Sequence, residues 1–172
     1  TSVASRYSAR IDPASDGKGP SSLAGQIAVH GRSPLLVVPE GSNSLDVTGA
    51  ALVGWNGSLE AAHALRGAVP LLRKASSVTL ANVFENADDS GAFLNAVDAA
   101  EYLSRNDIAS EIVEIGGGQQ TVAQTLANAA EARGDAFIVV GAYGHARAIE
   151  TVFGGVTREL FSAPPLPIFT AH

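Results

Sequence analysis

No cysteine occurs among the 172 residues. Disulfides and thiolate metal sites are therefore excluded, and the composition fits a reducing compartment. A basic stripe is missing too: eleven Lys and Arg lie scattered among seventeen Asp and Glu, for a formal charge of −6. That balance argues against nucleic acid as a partner, which would call for clustered cations. No apolar run approaches the ~20 residues of a membrane span, so no membrane partner is expected and the expected location is cytoplasmic. His30, His63 and His172 lie far apart and show no ligand spacing such as HxxxH, so no zinc site is indicated. The G-x-x-x-x-G-K-[ST] phosphate loop is absent, and with it any indication of Walker-type hydrolysis.

Apolar residues make up 46% of the chain, enough to bury a real core, and the length suits one domain or one domain plus a fragment. Short β-branched runs alternate with longer helical patterns, the sequence form of a parallel sheet covered by helices, so the class is α/β. The first clear strand is expected over 50–55. Ser58 then makes an N-cap, with Glu60 favourable in the first turn of a helix running to about Lys74. A second strand follows over Val78–Phe84, a helix over 92–105, and an alternating, half-buried strand over 108–115 that stops at Gly116, Gly117 and Gly118. Thr121 and Gln124 have capping-box spacing, and Gly134 is placed to end that helix in the left-handed conformation. A fourth strand is expected over 135–140, a short helix over 156–162, and a last strand over 168–171 after Pro164, Pro165 and Pro167.

The most telling stretch is GAYGHARAIETVFGGVTREL, which follows the apolar run 136–140. Gly141 and Gly144 let main chain approach a ligand without a Cβ in the way, and Gly154 and Gly155 put bare N–H groups at a helix N-terminus, where an anion such as phosphate would sit. The same glycines admit a second reading, in which Gly141 and Gly144 make a tight turn and Gly154 and Gly155 allow close helix packing. His145 and Arg147 either meet a phosphate or face solvent. Tyr143 either stacks on a base or covers the loop. Trp55 is a wall of the crevice or a packing residue, and Asp88 with Asp89 reads as a solvated turn.

The first forty residues stand outside this unit. SSLAGQIAVHGRSPLLVV resembles the closing VTRELFSAPPLPIFTA, each a short helix, a proline and an apolar strand. Residues 1–40 then read as the tail of an incomplete earlier repeat, 41–48 as a linker, and 49–172 as a complete domain. A fragment so small has no core of its own and must dock on the main domain.

The spacing Gly141, two residues, Gly144, nine residues, Gly154 resembles the nucleotide loop of the universal stress protein family. ALVGWNGS at the first strand and VTLANVFE at the second support the resemblance, and the two-part organisation is similar to a tandem-domain member. The resemblance implies a doubly wound, five-stranded parallel sheet of Rossmann-like type holding an adenine nucleotide, ATP with magnesium. It also implies the binding set. Asn56, beside Gly57 and Ser58, stands where the family has an acidic residue, and Val83 is a main-chain contact near the base. Gly141, Gly144 and Gly154 match the loop glycines, with His145, Val156 and Thr157 beside them. Gly155 stands where ATP-holding members have Ser or Thr.

Asn56 keeps a carbonyl acceptor while losing the carboxylate charge. Gly155 forgoes a hydroxyl bond worth about 0.5–1.5 kcal/mol net, for which Thr157 is a possible substitute. Last strands pair across a two-fold or pseudo-two-fold interface in the family, so residues 35–38 and 167–170 are expected side by side, between two chains as a homodimer or within one as a pseudo-dimer. The expected work is stress-response nucleotide binding without catalysis. The alternatives are an interaction protein that binds no nucleotide and a slow ATP hydrolase.

Overall fold

From residue 51 onward, strands of Val, Leu, Ile and Phe alternate with alanine-rich helices, and each helix returns the chain so that the next strand runs parallel to the last. The structure, a computed structural model, describes residues 34–40, 42, 44–84, 91–142 and 155–171, with backbone alone at 91–95. In chain order these form β1 (Leu35–Val37), β2 (Ala51–Gly54), α1 (Leu59–Leu72), β3 (Val78–Phe84), α2 (Gly91–Ser104), β4 (Glu111–Gly116), α3 (Val122–Arg133), β5 (Phe137–Gly141), α4 (Gly155–Ser162) and β6 (Ile168–Ala171).

The strands make one sheet in the order β1-β6-β5-β2-β3-β4. The five strands from β6 to β4 are parallel, and β1 runs antiparallel to β6. Successive side chains of the central strands face opposite ways, so each feeds two cores. Ala51, Val53, Phe137 and Val139 meet α1 and α2 on one face. Leu52, Ile138, Val140 and Ile168 meet α3 and α4 on the other. Both faces are covered, which explains why the strands read as continuous apolar runs.

Local chemistry sets the helix ends. Ser58 Oγ accepts the Ala61 N–H at 3.1 Å to start α1, whose Ala61, Ala64, Leu65, Ala68, Val69 and Leu72 are buried. Thr121 and Gln124 form the full capping box of α3, and Gly134 closes it at φ 69°.

The five strands of the domain are parallel as expected, and Leu35, Leu36 and Val37 add a sixth by pairing with Thr170, Phe169 and Ile168 inside one chain, the expected pairing of these two segments. Two boundaries differ from the expectation. β4 begins at Glu111 rather than 108, since Asp107 turns the chain at φ 60° and Ile108 is buried in the core that α2 covers. Asp135 and Ala136 precede β5 instead of opening it, with the Ala136 N–H bonded to the Ala50 carbonyl at 2.7 Å. The expected helix of the first repeat lies outside the described residues, as do Asp88 and Asp89.

Candidate functional site

The chain leaves β2 toward β3 and β4 on one side and fills β5 and β6 on the other. The carboxyl ends of β2 and β5 are thus the point where the winding reverses, the place where open α/β sheets form a crevice. Gly54, Trp55, Asn56 and Gly57 leave β2 there, and Gly141 and Ala142 leave β5.

On the β2 side the turn is built for the helix that follows. Asn56 is exposed and its Oδ1 accepts the Ser58 N–H at 3.1 Å, an Asx turn that places Ser58 as the cap. This bond assigns the amide, leaving Nδ2 as a donor with no partner among the described residues. Gly57 takes φ 75°, which glycine adopts at no steric cost. Leu59, the first residue of α1, is 73% exposed beside this turn. The sequence reading passed over it, although an apolar residue just after a cap and off the buried stripe of α1 was a visible signal.

On the β5 side the close approach that demands glycine is made by protein. A Cβ on Gly141 would stand 2.5 Å from the Ala61 nitrogen and 2.6 Å from the Glu60 carbonyl carbon, in the first turn of α1. Gly54 is similarly enclosed, 3.0 Å from Leu126 and 3.1 Å from Val140. Nothing in the pattern around Gly54 marked it, because its neighbours come from α3 and β5.

Helix α4 opens with Gly155, which is exposed and, among the described residues, has no heavy atom within 4 Å of where a Cβ would be. Val156 is half-buried against the α3 and α4 core. Thr157 is 4% exposed, with its hydroxyl 3.5 Å from the Gly141 carbonyl, a long contact that faces the end of β5. Val83 is half-buried near the end of β3, opposite Ile115 of β4. The structure therefore brings Asn56, Gly57 and Ser58 to the end of β2 and Gly141 with Thr157 to the end of β5. Val83 lies one strand further along the same side of the sheet. Tyr143, Gly144, His145, Arg147 and Gly154 lie outside the described residues.

Trp55 is 9% exposed and packs in the core on the α1 and α2 side, with its Nε1 bonded to nothing among the described residues. It also lines a groove of ≈ 190 Å³ between α1 and α2, with Leu65, Arg66, Asp98 and Tyr102.

No protein-family model and no curated protein matches the chain. Solved structures do. A universal stress protein from Archaeoglobus fulgidus DSM 4304 aligns at TM-score 0.60 and 22% identity, covering 81% of this chain and 51% of that one, so the chain spans about half its length. Universal stress protein UspA from Lactobacillus plantarum aligns at 0.51 and 18%, covering 68% and 93%. A universal stress protein solved in complex with cAMP aligns at 0.52 and 17%, covering 72% and 95%. The chain shares with them the Rossmann-like α/β fold.

Proposed function

We propose that this chain is a universal stress protein that holds an adenine nucleotide, ATP with magnesium, where the ends of β2 and β5 part. The observation that carries the reading is the reversal of winding between these two strands, with Asn56 Nδ2 left as a donor at its rim. A protein of this fold has been solved in complex with cAMP, which supports a nucleotide as the ligand. The described residues suit such a group in part. Asn56 offers a donor to a ribose hydroxyl, and the described residues leave the Cβ position of Gly155 clear, so that a phosphate could lie against the first turn of α4, where N–H groups favour an anion. Among the described residues no cluster of three His, Asp or Glu could hold a metal, so magnesium would travel on the phosphates.

The reading is of a binding protein without catalysis, placed in the cytoplasm. Among the described residues no helix is long and apolar enough to cross a membrane. We read β1 as the last strand of a preceding repeat, which supplies within one chain the pairing that a second subunit would otherwise bring.

A second reading is favoured by Gly141, whose lack of a side chain is already required by α1. On that reading the fold serves association alone. Calorimetric titration of the nucleotide-stripped chain with ATP and magnesium, alongside Gly144→Val, separates the two. Saturable binding that the variant loses is expected; no heat in either protein would leave the association reading.

A further inference from the structure

Arg133 is the last residue of α3, and its guanidinium stands among oxygen-bearing side chains from three other segments. Its Nη2 donates to Glu111 on β4 and, at 2.6 Å, to Thr79 Oγ1 on β3. Thr79 in turn donates to Glu111 Oε1 at 2.9 Å. Asp135, in the connection to β5, is approached by Arg133 Nε at 3.7 Å, within reach of charge attraction but too long for a hydrogen bond.

One cation therefore serves two carboxylates unequally. Glu111, whose side chain is 57% exposed, takes the hydrogen bonds. The Asp135 side chain is 1% exposed, and its Oδ2 has no hydrogen-bond partner among the described residues. A buried carboxylate without hydrogen bonds is costly to keep ionised. Taking up a proton relieves that cost.

We propose that Glu111 claims Arg133 at the expense of Asp135, so that the buried Asp135 carboxyl is the group that takes up a proton on mild acidification and the junction between α3 and β5 tightens as it does. Burial raises the proton affinity of Asp135 above the ordinary Asp range, Arg133 opposes the rise and Glu111 adds to it. Among the described residues those are the two charged groups that act on it; Thr79 from β3 and the Ala50 carbonyl ahead of β2 bring no charge. Glu111 moves the other way, held below its ordinary range by the Thr79 hydrogen bond first and Arg133 second.

The signs follow from linkage. The folded state binds the Asp135 proton more tightly than the unfolded state, so this group's contribution is full below the ordinary Asp value of about 4. It is lost as pH rises from there through the folded-state midpoint. Glu111 contributes above its unfolded value and loses that contribution as pH falls through its lowered folded one.

The test is a carboxyl-carbon NMR titration of Asp135 in the full chain and in Glu111→Gln, with urea unfolding followed across the same pH range. In the unaltered chain Asp135 is expected to titrate above the ordinary carboxylate range. In Glu111→Gln its proton affinity should fall roughly tenfold as Arg133 turns to it. Glu111→Asp, which withdraws the carboxylate from Arg133 while keeping its charge, should lower it in the same direction. Asp135→Asn should abolish the decline in stability with rising pH. A midpoint at or below the ordinary range in the unaltered chain, or one unmoved by both Glu111 variants, overturns the proposal.

Discussion

A methyl group at Gly141 would meet the backbone nitrogen of Ala61 and the carbonyl carbon of Glu60, atoms that cannot step aside without moving α1. Gly141→Ala is accordingly expected to destabilise the fold by about 1–3 kcal/mol or more, read as a lower urea midpoint. Gly155 is the opposite case, since none of the described residues crowds its Cβ position. Gly155→Ser should leave stability unchanged or raise it by roughly 0.4–1 kcal/mol. On the proposed function it should also tighten ATP by up to about tenfold in calorimetric titration. Glycines at both positions were legible as places of special backbone access. What approaches Gly141 was not, because Glu60 and Ala61 belong to a helix remote in sequence and no local pattern announces the contact.

Helix ends were legible because their chemistry is local. Thr121 accepts the Gln124 N–H at 3.2 Å, while the Gln124 side chain accepts the Thr121 N–H at 3.3 Å. Thr121→Ala removes one half of this exchange, together with the Thr121 bond to Glu159 on α4 at 2.9 Å. A loss of about 1 kcal/mol in urea unfolding is expected. Strand starts were less legible. Ile108 continues the alternation of β4 in the sequence, yet it is buried in the core beneath α2 after the turn at Asp107. Period-two patterning cannot tell a residue that faces a helix from one that lies in the ladder. Asp135 escaped notice for the same reason, since its burial depends on residues from β3, β4 and α3 that meet only in the folded chain.

Across the whole molecule, the α/β class and the order of elements could be read from alternation alone, whereas the place of β1 rested on the likeness between two short segments. β1 covers the edge of β6, where Ile168 and Thr170 are fully buried. Leu35 and Val37 anchor it against the core that α3 and α4 cover. Charging both, as Leu35→Asp with Val37→Asp, should detach β1 and uncover an edge able to pair with another chain. Sedimentation velocity is expected to show concentration-dependent self-association in that variant and less of it in the unaltered chain. The two cores also have an optical consequence. Trp55 is the sole tryptophan of the chain and belongs to the α1 and α2 side of the sheet. All indole emission therefore arises from one half of the protein. Loosening of α3 and α4 would pass unseen in fluorescence while circular dichroism recorded it, so disagreement between the two signals during melting would mean that the layers come apart separately.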